Sequence, residues 1–191
     1  MTYILSLDPA QVRDWSALAA IQMHLAGKRF EYDLTAMGRK QGLPYDQIVN
    51  WAVETYKNKA FWEDGQPPHF ILDSTGVGVA VRDMIAVGGV RLKAITITSG
   101  ESVTRSGPLI HVGKARLIGK FLGAFDSGKV RVNPALPMWP KLEREMLAFR
   151  AEISAQGRAK FEADSGENDD MLFALAQAVW YGEEILRGGK L

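Results

Sequence analysis

The 191-residue sequence has no cysteine and only three histidines, His24, His69 and His111. The missing cysteines exclude disulfides and thiolate metal centres, and suit a cytoplasmic protein. Three imidazoles so widely scattered argue against a zinc site. Any metal must then be held mainly by oxygen, which points to Mg²⁺ or Mn²⁺. No apolar run is long enough to span a bilayer, so no membrane partner is expected. The chain does not open on a basic segment followed by an apolar one, so no signal peptide is expected. An excess of one charge is also lacking: 23 Lys and Arg against 22 Asp and Glu leave +1. A protein that binds nucleic acid by bulk electrostatics is more basic than this. Nucleic acid would need a local concentration of cations. Arg13, Lys28, Arg29, Arg39, Lys40, Arg105, Lys114, Arg116, Lys120, Lys129 and Arg131 are the candidates. For any one of them a solvated surface charge is the simpler reading.

The apolar fraction is 47%, ample for a core, and the length suits a single domain over 1–191. Residues 2–8 read as a short buried strand. Ser16 to His24 fits strand or helix by pattern alone. Phe30, Tyr32 and Leu34 alternate with Glu31, Asp33 and Thr35, the period of a half-exposed strand. Together these runs predict a β-meander. Pro44 then opens a helix with Ile48, Trp51, Ala52, Thr55 and Tyr56 on one face. His69 to Asp73 is the next strand. Ser74-Thr75-Gly76 turns the chain into a helix carrying Val77, Val81, Met84 and Ile85. A β-branched strand follows at Leu92 to Thr98. Leu117, Ile118, Phe121, Leu122 and Phe125 mark an amphipathic helix, and Val130 and Val132 a short strand. Leu142, Met146, Phe149 and Ile153 predict one further helix. The last helix starts near Asn168 and carries Leu172, Leu175, Ala176 and Val179. This order predicts an α/β fold with helices on both faces of one sheet.

Two apolar strands end in aspartate: Tyr3-Ile4-Leu5-Ser6-Leu7-Asp8 and Phe70-Ile71-Leu72-Asp73. In open α/β sheets the carboxyl ends of strands are where ligand sites gather. A third acidic station, Asp169-Asp170, stands where the last helix begins. Closely packed carboxylates repel, and a bound cation relieves the repulsion. Two ions about 3.5–4 Å apart activate a water and stabilise a leaving oxygen, which suits phosphodiester hydrolysis. Taken singly, each acid has a plainer explanation: a strand-end Asp is more often a turn residue, and Asp169-Asp170 fits a helix N-cap. Only the three stations together point to a metal. Asp14 is a further candidate, for which a surface loop is the simpler account.

Two glycine patterns carry no nucleotide chemistry. Gly107 to Gly113 before Lys114 has five intervening residues where a P-loop has four, and Ala115 replaces the Ser or Thr that would hold Mg²⁺. Gly76-Val77-Gly78 lacks the third glycine of a dinucleotide fingerprint and reads as a tight strand-to-helix turn. His69 and the five tryptophans read as packing residues.

In these residues the chain resembles the nuclease domain of phage large terminases, the endonucleases of viral DNA packaging, with a ribonuclease H-like fold. Asp8-Pro9-Ala10 with Asp14 resembles the first motif, and Leu72-Asp73-Ser74-Thr75-Gly76-Val77-Gly78 the second. Lys114-Ala115-Arg116-Leu117-Ile118 with Gly128-Lys129-Val130 resembles the helix and strand after the fifth sheet strand. Leu142-Glu143-Arg144-Glu145-Met146-Leu147-Ala148-Phe149 resembles the helix before the third motif, and Asn168-Asp169-Asp170-Met171-Leu172-Phe173-Ala174-Leu175-Ala176 the third motif itself. The matches follow the family's order along nearly the whole chain. Two positions depart: Asn168 stands where the family often has His, and Phe173 where it often has an acid.

The resemblance implies a mixed five-stranded central sheet, its second strand antiparallel to the others, with helices on both faces. It implies two Mg²⁺ or Mn²⁺ ions: Asp8 bridges both, and Asp73 and Asp169 or Asp170 each complete one shell. Double-stranded DNA is the implied substrate. Cations of the loop from Glu101 to Arg105 are implied as DNA guides. A packaging ATPase, a small terminase and a portal are the implied partners, in the host-cell cytoplasm. The ATPase domain that the family carries upstream is not in this sequence. Two alternatives stand beside this reading. One is a Holliday junction resolvase or ribonuclease H-type enzyme of the same fold. The other is a non-catalytic packaging or assembly module.

Overall fold

The computed structural model describes residues 1–10, 14–153, 159–163 and 169–187. Arg13, Glu167 and Asn168 lie outside them. The chain opens with β1 (Thr2–Asp8), β2 (Trp15–Ala26) and β3 (Arg29–Gln41), paired in series as antiparallel neighbours. This is the expected meander. Then come α1 (Tyr45–Lys57), β4 (His69–Asp73), α2 (Gly78–Val87) and β5 (Leu92–Thr98). A hairpin of β6 (Val103–Ser106) and β7 (Leu109–Gly113) leads into α3 (Lys114–Asp126) and β8 (Val130–Val132). Next come α4 (Trp139–Ala148), a separate hairpin of β9 (Phe149–Ile153) and β10 (Ala159–Ala163), and α5 (Asp170–Tyr181). The main sheet has the order β6-β7-β5-β4-β1-β2-β3-β8. β1 pairs parallel with β4, β4 with β5 and β5 with β7.

Strand alternation sorts the apolar side chains into two cores. Ile4, Ala17, Ala19, Ile21, Ile71 and Ile95 face α3 and α5. Leu5, Leu7, Leu18, Ala20, Phe70 and Leu72 face α1 and α2. Because both faces of β2 are covered, its sequence has no polar alternation, which is why Ser16 to His24 fits either pattern. The helix α5 is buried along its whole length, from Met171 to Tyr181. A helix apolar all round must lie inside the protein, and this one crosses β1, β2, β3 and β4. Among the described residues no helix is long and apolar enough to cross a membrane.

The expected central sheet is extended, and two further expectations need correction. The sheet has eight strands, because the hairpin β6–β7 and the short β8 extend the five central ones. The stretch that resembled a P-loop is this hairpin, turned at Gly107 with φ +59°. Phe149 and Ile153 do not continue α4: the backbone turns extended at Phe149, whose ring packs edge-on against Phe173 at 6.1 Å. Met84 lies on the outer side of α2 and is exposed. Val81 and Ile85 carry that helix's contacts with the core.

Candidate functional site

The register of β1 on β4 places Asp8 and Asp73 side by side. Leu7 is level with Leu72, and each aspartate is the next residue. Alternation puts both on the face of Ile4 and Ile71, under α5. Across the sheet Asp8 is level with Ala17, and Ala17 with Arg39. The start of α5 completes the cluster, with Asp169 at its N-cap and Asp170 in its first turn.

Asp73 is 6% exposed and firmly oriented. Its Oδ1 accepts the Thr75 N–H at 2.7 Å, and its Oδ2 accepts the Gln177 side-chain amide at 2.8 Å. Thr75 Oγ1 in turn accepts the Ile97 N–H at 3.0 Å. The bond from Asp73 to Thr75 is the two-residue reach that turns a strand end. The plain reading of a strand-end Asp therefore holds for Asp73, alongside its place in the acid cluster.

Gly78 makes this corner possible. A Cβ at that position would lie 1.8 Å from the Asp73 carbonyl oxygen. Gly78→Ala is expected to push α2 off the end of β4 and to cost about 1–3 kcal/mol. A denaturant midpoint equal to that of the unaltered chain would contradict this.

Glu145 enters from α4 and is 3% exposed. Its Oε2 accepts the N–H groups of Met171 and Leu172 at 2.9 and 3.0 Å. Arg39, almost buried, lies 3.3 Å from Glu145 Oε1 and donates to Asp170 Oδ2 at 2.9 Å. Its guanidinium stacks 4.4 Å over the Trp15 ring. Lys114, the first residue of α3, lies over the Phe173 ring at 4.8 Å.

The electrostatics are those of carboxylates crowded out of water. Burial raises the Asp8 carboxyl well above its ordinary value, and the charges of Asp73, Asp170, Asp169 and Glu145 raise it further. Burial raises Asp73 too, against the pull of the donors on Thr75 and Gln177. Asp169 is raised by burial and lowered by Lys114. Asp170 is raised by burial and lowered by Arg39. Burial pushes Glu145 up to about 7, although the Leu172 N–H and Arg39 oppose it.

Of the four principal aspartates expected from the sequence, Asp8 and Asp73 are level on adjacent strands, and the charges of Asp169 and Asp170 act on Asp8. Asp14 is exposed just ahead of β2, and its charge is not among those acting on Asp8. Arg105, expected to guide DNA, stands on the edge strand β6 and reaches the Glu184 carbonyl at 3.5 Å. That is beyond the far end of α5, a helix about 18 Å long. His69 is half-buried against Tyr181, as expected of a packing histidine. Sequence reasoning did not single out Glu145 or Gln177. Each had a signal: Gln177 is the one amide in the buried run Met171–Tyr181, and Glu145 follows Leu142 by three residues, on the inward face of its helix.

Among the described residues, no three His, Asp or Glu side chains are gathered tightly enough to hold a metal ion. The donor chemistry nevertheless fits a hard divalent cation. Every donor is a carboxylate oxygen, and none of the influences on Asp8 is a cation to offset its neighbours. A cavity of about 650 Å³ lies elsewhere, beside Met1, His69, Arg91, Lys93 and Tyr181. It opens at the amino ends of β1, β4 and β5, opposite the end where such sheets place their chemistry.

No family model matches the chain. No curated protein sequence matches it either. Its fold is shared with solved nucleases. The large terminase nuclease from thermophilic phage G20c with bound magnesium is 18% identical, over 93% of this chain and 80% of that one, with a TM-score of 0.65. The large terminase nuclease domain from bacteriophage SPP1 with bound Mn is 12% identical, over 97% of this chain and 88% of that one, with a TM-score of 0.54. RuvC of Thermus thermophilus is 12% identical, over 98% of this chain and 97% of that one, with a TM-score of 0.51. The fold is ribonuclease H-like, and it matches that of phage large terminase nuclease domains.

Proposed function

We propose that this chain is a single-domain, metal-dependent endonuclease that cuts double-stranded DNA, with concatemeric viral DNA as its substrate during genome packaging. The observation that carries the proposal is the level placement of Asp8 and Asp73 on adjacent parallel strands, with Asp169 and Asp170 brought to them by α5. The likeness to terminase nucleases supports it.

In this proposal Asp8, Asp73, Asp169 and Asp170 hold the metal, and Asp14 is at most an outer participant. Bound Mg²⁺ or Mn²⁺, as two ions, would supply an activated water and neutralise charge on the leaving oxygen. The protein's part is to gather carboxylates that repel each other and to keep them oriented. The Thr75 N–H and the Gln177 amide fix Asp73. Arg39 restrains Asp170, which leaves Asp169 the freer of the third-station pair. Lys114 adds a cation beside that pair. Contacts to phosphate position DNA without reading its bases, so sequence preference should be low. A packaging ATPase, a small terminase and a portal would be the working partners, in the host-cell cytoplasm.

The test is a panel of linear duplex, four-way junction and RNA–DNA hybrid, each with Mg²⁺ or Mn²⁺. Cleavage of the linear duplex is the expected result. Cutting confined to junctions or hybrids would assign the chain to the resolvase or ribonuclease H-type alternative. Absence of both cleavage and Mn²⁺ binding would make it a non-catalytic module.

Gln177→Leu keeps volume but removes the donor to Asp73, which should raise the Asp73 pKa further. A loss of about 10–100-fold in Mn²⁺ affinity is expected, as for other partners of metal-binding carboxylates. An affinity unchanged in calorimetry would remove Gln177 from the site.

A further inference from the structure

The start of α5 has an unusual anchor. The first N–H groups of a helix have no partner within it and are commonly met by the N-cap side chain. Asp169 occupies the N-cap and makes no such bond. The Met171 and Leu172 N–H groups are instead taken by one oxygen of Glu145, from α4. A carboxylate at a helix amino end is favoured by the helix dipole and forms charge-assisted hydrogen bonds. The other Glu145 oxygen faces Arg39, which grips Asp170 and rests on Trp15. One buried side chain therefore restrains the backbone of the third acidic station directly and one of its carboxylates through Arg39.

We infer that Glu145 is the positioning residue of the third acidic station, setting the place and angle at which Asp169 and Asp170 face Asp8 and Asp73. The inference rests on the metal-site proposal above. Using Asp169-Asp170 as ligands, and no longer as the cap they resemble, leaves the helix end without a cap of its own, and Glu145 meets that need from outside. Removing Glu145 strands two N–H groups and the inner side of Arg39 together. The first turn of α5 then loosens, and the cluster loses its preset geometry.

Mn²⁺ calorimetry on the intact chain tests this, with amide hydrogen exchange as a readout that needs no activity. Binding by the unaltered chain and loss of binding in Asp8→Ala would establish the metal site itself. Glu145→Ala should then bind Mn²⁺ about 10–100-fold more weakly, with faster exchange at Met171 and Leu172. Unaltered affinity in Glu145→Ala would overturn the inference and leave the metal site standing. If Glu145→Ala does not fold, Glu145→Gln decides, because it keeps an acceptor for α5 but loses the charge facing Arg39. Several-fold weaker binding in Glu145→Gln supports the role, and unchanged binding overturns it. No Mn²⁺ binding by the unaltered chain would end both the metal-site proposal and this inference.

Discussion

Asp8→Asn is expected to abolish metal-dependent cleavage of plasmid DNA and, at the same time, to raise the thermal midpoint of the metal-free protein. The two effects have one cause. Asp8 is a half-buried carboxylate next to Asp73, with the charges of Asp170, Asp169 and Glu145 also acting on it. Asparagine keeps the shape and removes the charge. Without that charge the metal-free cluster repels itself less, so the fold gains stability. For a chain of this length each kcal/mol gained raises the midpoint by about 2–4 °C. Catalysis would move the other way, because the lost charge belongs to a carboxylate that would hold the proposed metal. Removing one fixed electrostatic group from an active site costs about 10²–10³-fold in rate, and loss of a carboxylate that would hold the metal should cost at least that much. Asp73→Ala should lose cleavage similarly. Full cleavage by either variant would sink the catalytic assignment. An unchanged midpoint in Asp8→Asn would sink the account of repulsion.

Metal-free stability is expected to fall as pH rises from about 4 to about 7, and added Mn²⁺ should reverse the fall. The Asp8, Asp73, Asp169 and Asp170 carboxyls are all raised, with burial the first cause in each. Glu145 is raised from 4.5 to about 7. Between an acid's unfolded pKa and a higher folded pKa, the native state binds more protons than the unfolded one. Stability therefore decreases with pH across that interval. For Glu145 the interval is 4.5 to about 7, and the loss is on the order of 2–3 kcal/mol after solvent screening. In the proposed site a divalent cation would bind the deprotonated cluster, so its stabilisation should be largest at and above pH 7. At a hundred times its Kd it adds about 2.7 kcal/mol. Thermal midpoints from pH 4 to 8, with chelator and with Mn²⁺, would measure both limbs. A metal-free midpoint that climbs through this window would refute the crowded-carboxylate description.

Much of the fold was legible because local pattern and final environment agree. β3 alternates because one face is half-exposed, and α1 and α3 show apolar faces because their other sides meet water. Legibility failed where tertiary contact overrides pattern. β2 lost its alternation because both its faces are buried. Phe149 looked like the next position of the α4 face, but it packs on Phe173 from an extended backbone. The hairpin β6–β7 was hidden because its edge strand β6 is four residues long and mostly exposed, so it carries no apolar alternation.

The acids divide in the same way. Local pattern marks which carboxylates end strands and which open the last helix, because apolar periodicity changes at strand ends and helix starts. The lack of thiols and the scatter of the three histidines also mean that any metal must be held mainly by oxygen. That Asp8 and Asp73 share one face follows only from the register of β1 on β4, a pairing of distant segments. Only the tertiary structure set Arg39 and Glu145 beside Asp170. Arg39 is 131 residues from its partner in the chain, and no local pattern records so distant a pairing. Gln177 stands between the two cases: its place in an apolar helix was written in the sequence, but its bond to Asp73 spans 104 residues. Buried polar groups need partners, so the sequence could state the need, and only the fold could meet it.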